Sequence, residues 1–179
     1  MAAGRVCVYC GSSLGRDPRF RDVATAFGHT LAARGLSLVF GGGSVGLMGC
    51  IADAVLSRGG HVIGVIPSGL VRREVAHLSL SDLHVVRTMH ERKARMADLS
   101  DAFVALPGGM GTLDELFEML TWAQLGLHAK PCAILDVAGY YGPLLTFLDH
   151  AVESGLIKAE HRSMLLVDDD PERLLDRLT

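Results

Sequence analysis

The chain has 179 residues, a formal net charge of −3 and a hydrophobic fraction of 49%. That length can bury the core of one domain. No stretch gathers Lys and Arg into the basic stripe that a nucleic-acid partner requires, so that class is excluded. No apolar run approaches transmembrane length, and Met1–Gly4 lacks a basic segment followed by an apolar leader. The expectation is a cytoplasmic protein without a membrane partner.

Strand-like and helix-like patterns alternate along the chain. Val6–Tyr9 reads as a strand, followed by the turn Gly11-Ser12-Ser13. Asp17 then caps a helix with Pro18 at its first position, and Gly35 closes it. Leu36–Phe40 is a second strand, ending at Gly41-Gly42-Gly43; Gly46–Arg58 continues as a helix stopped by Gly59-Gly60. His61–Ile66 is the third strand, and Ser68–Asp82 is irregular, with Arg72, Arg73, Glu74 and His77. A short strand at His84–Arg87 leads to a helix from Met89 to about Leu99, where Thr88 and Glu91 have capping-box spacing. Ala102–Leu106, Cys132–Leu135 and Leu165–Val167 complete the strands. Helices are expected at Thr112–Leu125, at Tyr141–Ser154 and, capped by Asp170, at Pro171–Leu178.

Near-continuous apolar strands between helices predict an α/β fold, a doubly wound Rossmann-like parallel sheet with helices on both faces. With no linker, repeat or low-complexity segment, residues 1–179 form a single domain. In such sheets ligands bind beyond the carboxyl ends of the strands. The glycine-bearing turns Gly11-Ser12-Ser13, Gly41–Gly46 and Gly108–Gly111 would share that edge. Bare amides at helix N-termini favour anions, so a phosphate-bearing ligand is expected.

Cys7 and Cys10 form a C-x-x-C, but within a strand a separation of three puts them on opposite faces, as small buried residues. None of the eight histidines has a metal spacing such as H-x-x-x-H with a third ligand, the C-x-x-C lacks a second ligand pair, and no metal is expected. Gly41–Gly46 fits G-x-G-x-x-G, yet the third strand ends Val65-Ile66-Pro67-Ser68 without the acid that a dinucleotide ribose needs. This turn either approaches a phosphate, with Gly42 and Gly43 as contacts, or packs a helix tightly on the sheet. Pro107-Gly108-Gly109-Met110-Gly111-Thr112-Leu113-Asp114-Glu115 offers bare amides, a hydroxyl at Thr112 and a carboxylate one turn inside the helix. Thr112 and Glu115 also have capping-box spacing, which needs no ligand. In Met89–Met96, Arg92 and Arg95 share a face one turn apart, whereas Lys93 points about 100° away.

Together these residues resemble the LONELY GUY family of cytokinin-activating phosphoribohydrolases. Pro107–Glu115 matches its PGGxGTxxE signature and Met89–Lys93 its M-x-x-R-K signature. Similarity continues through Val71–His77 and Thr121–Gly126, and Met110 and Asp114 occupy variable positions. The resemblance implies a homodimer that hydrolyses a cytokinin riboside 5'-monophosphate, or AMP, to free base plus ribose 5-phosphate. It implies Arg92 and Glu115 as the catalytic pair. Substrate contacts would fall on Glu74, Lys93, Thr121 and the turn Gly108, Gly109, Met110, Gly111, Thr112, Leu113 and Asp114. Relatives are often labelled lysine decarboxylases, a label that implies a pyridoxal Schiff-base lysine. Here Lys93 lies in a cationic cluster, the other lysines are Lys130 and Lys158, and no cofactor is expected. The competing reading is a non-catalytic nucleotide or cofactor carrier on the same fold, which has no need of an Arg92/Glu115 pair.

Overall fold

A computed structural model of the chain describes residues 4–71 and 75–178. The apolar runs form β1 (Arg5–Tyr9), β2 (Ser37–Phe40), β3 (Val62–Pro67), β4 (Asp82–Val86), β5 (Ala102–Ala105), β6 (Cys132–Leu135) and β7 (Leu165–Asp168). All neighbouring pairs are parallel, in the order β4-β3-β2-β1-β5-β6-β7. The helices are α1 (Pro18–Ala33), α2 (Gly46–Ser57), α3 (Met89–Leu99), α4 (Met110–Gln124), α5 (Gly142–Glu153), α6 (Ala159–Arg162) and α7 (Pro171–Asp176).

Alternation along each strand divides the core between the two faces of the sheet. Val8, Phe40 and Val104 meet Phe27 and Leu31 of α1, Ile51 of α2 and Leu174 of α7. On the other face Cys7, Tyr9, Val65 and Phe103 meet Met96 of α3 and Met119 of α4. Leu116 of α4 and Leu148 of α5 pack with Ala105 and Ile134 beside them. Fully burying each such side chain contributes about 1.5–3 kcal/mol. The doubly wound α/β sheet is therefore the observed fold. Cys7 of β1 and Cys10, one residue past its end, lie on opposite faces of the sheet, and all four cysteines are free thiols.

The local signals that start and stop helices operate as their chemistry predicts. Asp17 Oδ1 accepts from the Arg19 amide at 2.9 Å, and Gly35 takes the left-handed φ of +67° that ends α1. Asp170 accepts from the Arg173 amide at 2.8 Å. Thr88 caps α3 by accepting from the Glu91 amide at 3.1 Å. Glu91 returns to the Arg87 amide at 2.8 Å, one residue before the position a capping box would use. A 3₁₀ turn at Ser68–Leu70, another at Val137–Gly139, and α6 were not expected from the sequence. β4 also begins at Asp82, two residues before the expected start, because pairing with Ile63 recruits it.

The larger correction concerns α4. It begins at Met110 rather than Thr112, with Gly109 as the N-cap and no side-chain cap bond. The Thr112–Glu115 capping box is therefore not formed. Thr112 sits in the third helical position with 3% exposure, and a Cβ on Gly108 would collide with its hydroxyl. Packing against that glycine takes the threonine away from the capping role.

Candidate active site

Strand order reverses between β1 and β5: β1 leads to β2 on one side while β5 pairs on the other. Such a switch point opens a crevice above the carboxyl ends of the strands. Here the two turns that form it are stitched together. The Gly11 amide donates to Pro107 O at 3.0 Å, and the Leu106 amide donates to Tyr9 O at 2.9 Å. A cleft of about 270 Å³ runs from Gly11 and Ser12 past Gly41 to the α4 N-terminus, with Arg92 and Glu115 in its wall. A neighbouring hollow of about 300 Å³ shares Gly11, Ser12 and Gly109 and is closed by Phe20 and Tyr140.

The α4 terminus offers amides suited to an anion. Its first intrahelical bond runs from the Leu113 amide to Gly109 O at 3.1 Å, so the amides of Met110, Gly111 and Thr112 precede the ladder. A Cβ on Gly109 or Gly111 would meet nothing within 4 Å. The chain's own packing therefore does not require glycine there; its effect is to leave the amides uncovered. Gly108 differs, since Thr112 and the Gly11 amide occupy the space a side chain would need. The Tyr140 hydroxyl donates to Gly108 O at 2.6 Å and steadies the turn.

Arg92 supplies positive charge. It is 4% exposed, donating from Nε to Val65 O at 3.0 Å and from Nη2 to Gly41 O at 2.7 Å. Burying a guanidinium is costly unless its protons are engaged, and the ends of β3 and β2 engage two of them. A Cβ on Gly41 would collide with the guanidinium, so that glycine makes room for Arg92. Arg95, expected on the same face, is exposed instead. Its displacement of about 60° around the helix from Arg92 is enough to cross from the sheet edge to solvent.

Glu115 is half-buried in the cleft wall. Its negative charge reaches the end of β1. Burial first, and Glu115 second, push the Cys10 thiol well above its ordinary range; burial does the same for Cys7, where Glu115 adds to the effect. Cys10 lines the cleft but remains protonated at neutral pH, which argues against a thiolate nucleophile.

The remaining expected residues divide. Asp114 and Met110 line the cleft, Met110 with 86% exposure. Leu113 packs into the core between α4 and α5. Lys93 pairs with Asp114 Oδ2 at 3.0 Å and Glu118 Oε2 at 3.1 Å and is absent from the cleft wall. Thr121 donates to Phe117 O at 2.7 Å on a farther turn of α4, in a separate groove with Leu148 and Arg162. Gly42 and Gly43 are held by the segment 75–77: the His77 amide donates to Gly42 O at 2.9 Å, and Gly43 bridges Ala76. Glu74, like Arg72 and Arg73, lies outside the described residues. Ser12, Met48, Leu70, Met89 and Tyr140 also line the two hollows without having been named as site residues. The turn after β1 carried the signal for Ser12 and the M-x-x-R-K signature that for Met89; nothing local marked Met48, Leu70 or Tyr140.

The fold and the site define a Rossmann-like α/β protein whose cleft holds a helix N-terminus without a side-chain cap together with a buried arginine. Comparison with known proteins agrees. A family model described as possible lysine decarboxylase matches residues 48–178. A cytokinin riboside 5'-monophosphate phosphoribohydrolase of Arabidopsis thaliana is 49% identical over 175 residues, 98% of this chain and 81% of the relative. A probable cytokinin riboside 5'-monophosphate phosphoribohydrolase of Oryza sativa subsp. japonica is 53% identical over 174 residues, 97% of this chain and 77% of the relative. The chain belongs to this phosphoribohydrolase family. Among solved structures, the molybdenum cofactor binding protein of Rippkaea orientalis superposes with a TM-score of 0.74 at 22% identity, covering 99% of this chain and 96% of that one. The Moco carrier protein of Chlamydomonas reinhardtii gives 0.73 at 21%, covering 98% and 97%. At these identities the likeness is one of fold.

The residues present do not fit the chemistry that the family model's description suggests. A Schiff base needs an accessible lysine beside the cofactor. Lys93 is tied to two carboxylates, Lys130 donates to Ala97 O at 2.8 Å, and Lys158 sits at the surface beside Glu160.

Proposed function

We propose that this chain hydrolyses the N-glycosidic bond of cytokinin riboside 5'-monophosphates, N6-modified adenosine nucleotides, releasing free base and ribose 5-phosphate. The observation that carries the reading is the meeting of Arg92, Glu115 and the uncapped α4 N-terminus in one cleft. A carrier of the same fold needs the phosphate turn alone.

Cleavage passes through a ribose with oxocarbenium character, so positive charge develops at the anomeric carbon and negative charge on the departing base. The Glu115 carboxylate serves the first, by holding the cation or by activating the water that adds to that carbon. The Arg92 guanidinium stays protonated and hydrogen-bonds the base as charge accumulates; the proton the base finally takes comes from elsewhere. The amides of the Gly109–Thr112 turn hold the 5'-phosphate, and this remote binding positions the sugar for reaction. Glu74 either orders its loop or binds ribose or base. The protein acts as a cytoplasmic homodimer, and Thr121, outside the cleft of its own chain, reaches substrate only through a second copy.

The test is product analysis with isopentenyladenosine 5'-monophosphate and, separately, AMP. Equimolar free base and ribose 5-phosphate are expected, and the rate ratio gives the base preference. Tight binding of both nucleotides without release would favour the carrier reading.

A further inference from the structure

Lys93 and Asp114 were expected to touch substrate, yet the structure joins them to each other. Lys93 Nζ lies 3.0 Å from Asp114 Oδ2 and 3.1 Å from Glu118 Oε2, one helical turn further along α4. The lysine side chain is 11% exposed, whereas those of Asp114 and Glu118 are 61% and 24% exposed. Burial opposes the ammonium charge, but the two carboxylates outweigh it and hold Lys93 above its ordinary value. Two carboxylates around one ammonium leave a net negative cluster, a poor receptor for a phosphate dianion. α3 docks chiefly on β3, and α4 on β5, so the bridge ties together helices seated on different strands. Two of the three clamp residues are also next in the chain to a member of the pair: Lys93 follows Arg92, and Asp114 precedes Glu115.

We propose that Lys93 is a positioning residue: clamped to Asp114 and Glu118, it fixes the separation of Arg92 and Glu115 across the cleft. The proposal rests on the reading of Arg92 and Glu115 as the reacting pair. It assigns Lys93 no contact with the nucleotide. An error of about 1 Å in such a pair is enough to slow chemistry by about a hundredfold while leaving phosphate anchoring in place.

The test compares K93M, K93R, D114N/E118Q and the triple variant K93M/D114N/E118Q, using isopentenyladenosine 5'-monophosphate and its riboside. K93M is expected to lower kcat by about 10- to 100-fold for both substrates, with KM changed by less than about threefold. K93R should restore most of the rate, and the triple variant should be no slower than K93M, because the clamp is already broken. A rise in KM confined to the monophosphate, with D114N/E118Q unaffected, would make Lys93 a phosphate ligand and overturn the proposal. If K93M does not fold, D114N/E118Q breaks the clamp from its more exposed side and must give the same fall in kcat; normal kcat overturns it. If the wild-type protein releases no base, the reaction itself has been misread, and the clamp is judged by thermal stability. Non-additive Tm losses then support it, and additive losses refute it.

Discussion

Two glycine turns in this molecule look alike in sequence and differ in what surrounds their missing side chains. Gly41–Gly46 and Gly108–Gly111 both follow a strand and lead into a helix at the same edge of the sheet. Two donors at the first turn go to the protein: the Ser44 amide to Val75 O at 3.0 Å and, just after the turn, the Leu47 amide to Gly11 O at 3.0 Å. Two of its glycines answer packing needs. Gly46 has a φ of +61°, and a Cβ there would collide with the backbone of Ser12 and Ser13; Gly41 makes room for Arg92. Neither α2 nor α4 has a side-chain cap, but the second turn leaves open space at Gly109 and Gly111. A glycine motif therefore separates into scaffold and receptor only when the volume around each missing Cβ is known.

The largest effect is expected where the receptor turn meets the chemistry. Glu115→Gln should lower kcat by about a thousandfold while nucleotide affinity persists; lost affinity with normal residual turnover would remove Glu115 from its role. On the scaffold side, Gly46→Ala combines a left-handed backbone with a backbone collision. It should destabilise the fold by about 3 kcal/mol, a fall in Tm of roughly 8 °C. A thermal scan showing no change would mean that the first turn has more room than the structure gives it. Gly111→Ala should act in the reverse sense. Helix propensity favours alanine there, so stability should hold or rise by about 0.5 kcal/mol. KM for the monophosphate should increase about tenfold, equivalent to about 1.4 kcal/mol of lost binding, with little change for the riboside. Equal effects on both substrates would contradict phosphate anchoring at this terminus.

How much of this was legible in the sequence follows from the range of the forces involved. Asp17, Pro18, Gly35 and Asp170 act within one helical turn, and each marked its helix end correctly. The alternation of Val6, Val8 and Cys10 with Cys7 and Tyr9 was enough to predict a strand covered on both faces. Arg92 and Glu115 were legible as motif members, and the structure places both in one cleft. What escaped depends on contacts distant in sequence. Thr112 appeared to be a cap because its burial against Gly108 is tertiary. The pairing of Lys93 with Asp114 was not legible because nothing local shows that residues 21 apart are hydrogen-bonded. The spending of the first turn's amides on Gly11 and Val75 is equally invisible to local pattern.

The contrast between the two turns is tested most directly by amide NMR of the wild-type protein during titration with ribose 5-phosphate. The account predicts large shifts at the amides of Met110, Gly111 and Thr112, while those of Ser44 and Leu47 stay in place. Shifts concentrated at Ser44–Leu47, with the α4 terminus unmoved, would contradict it.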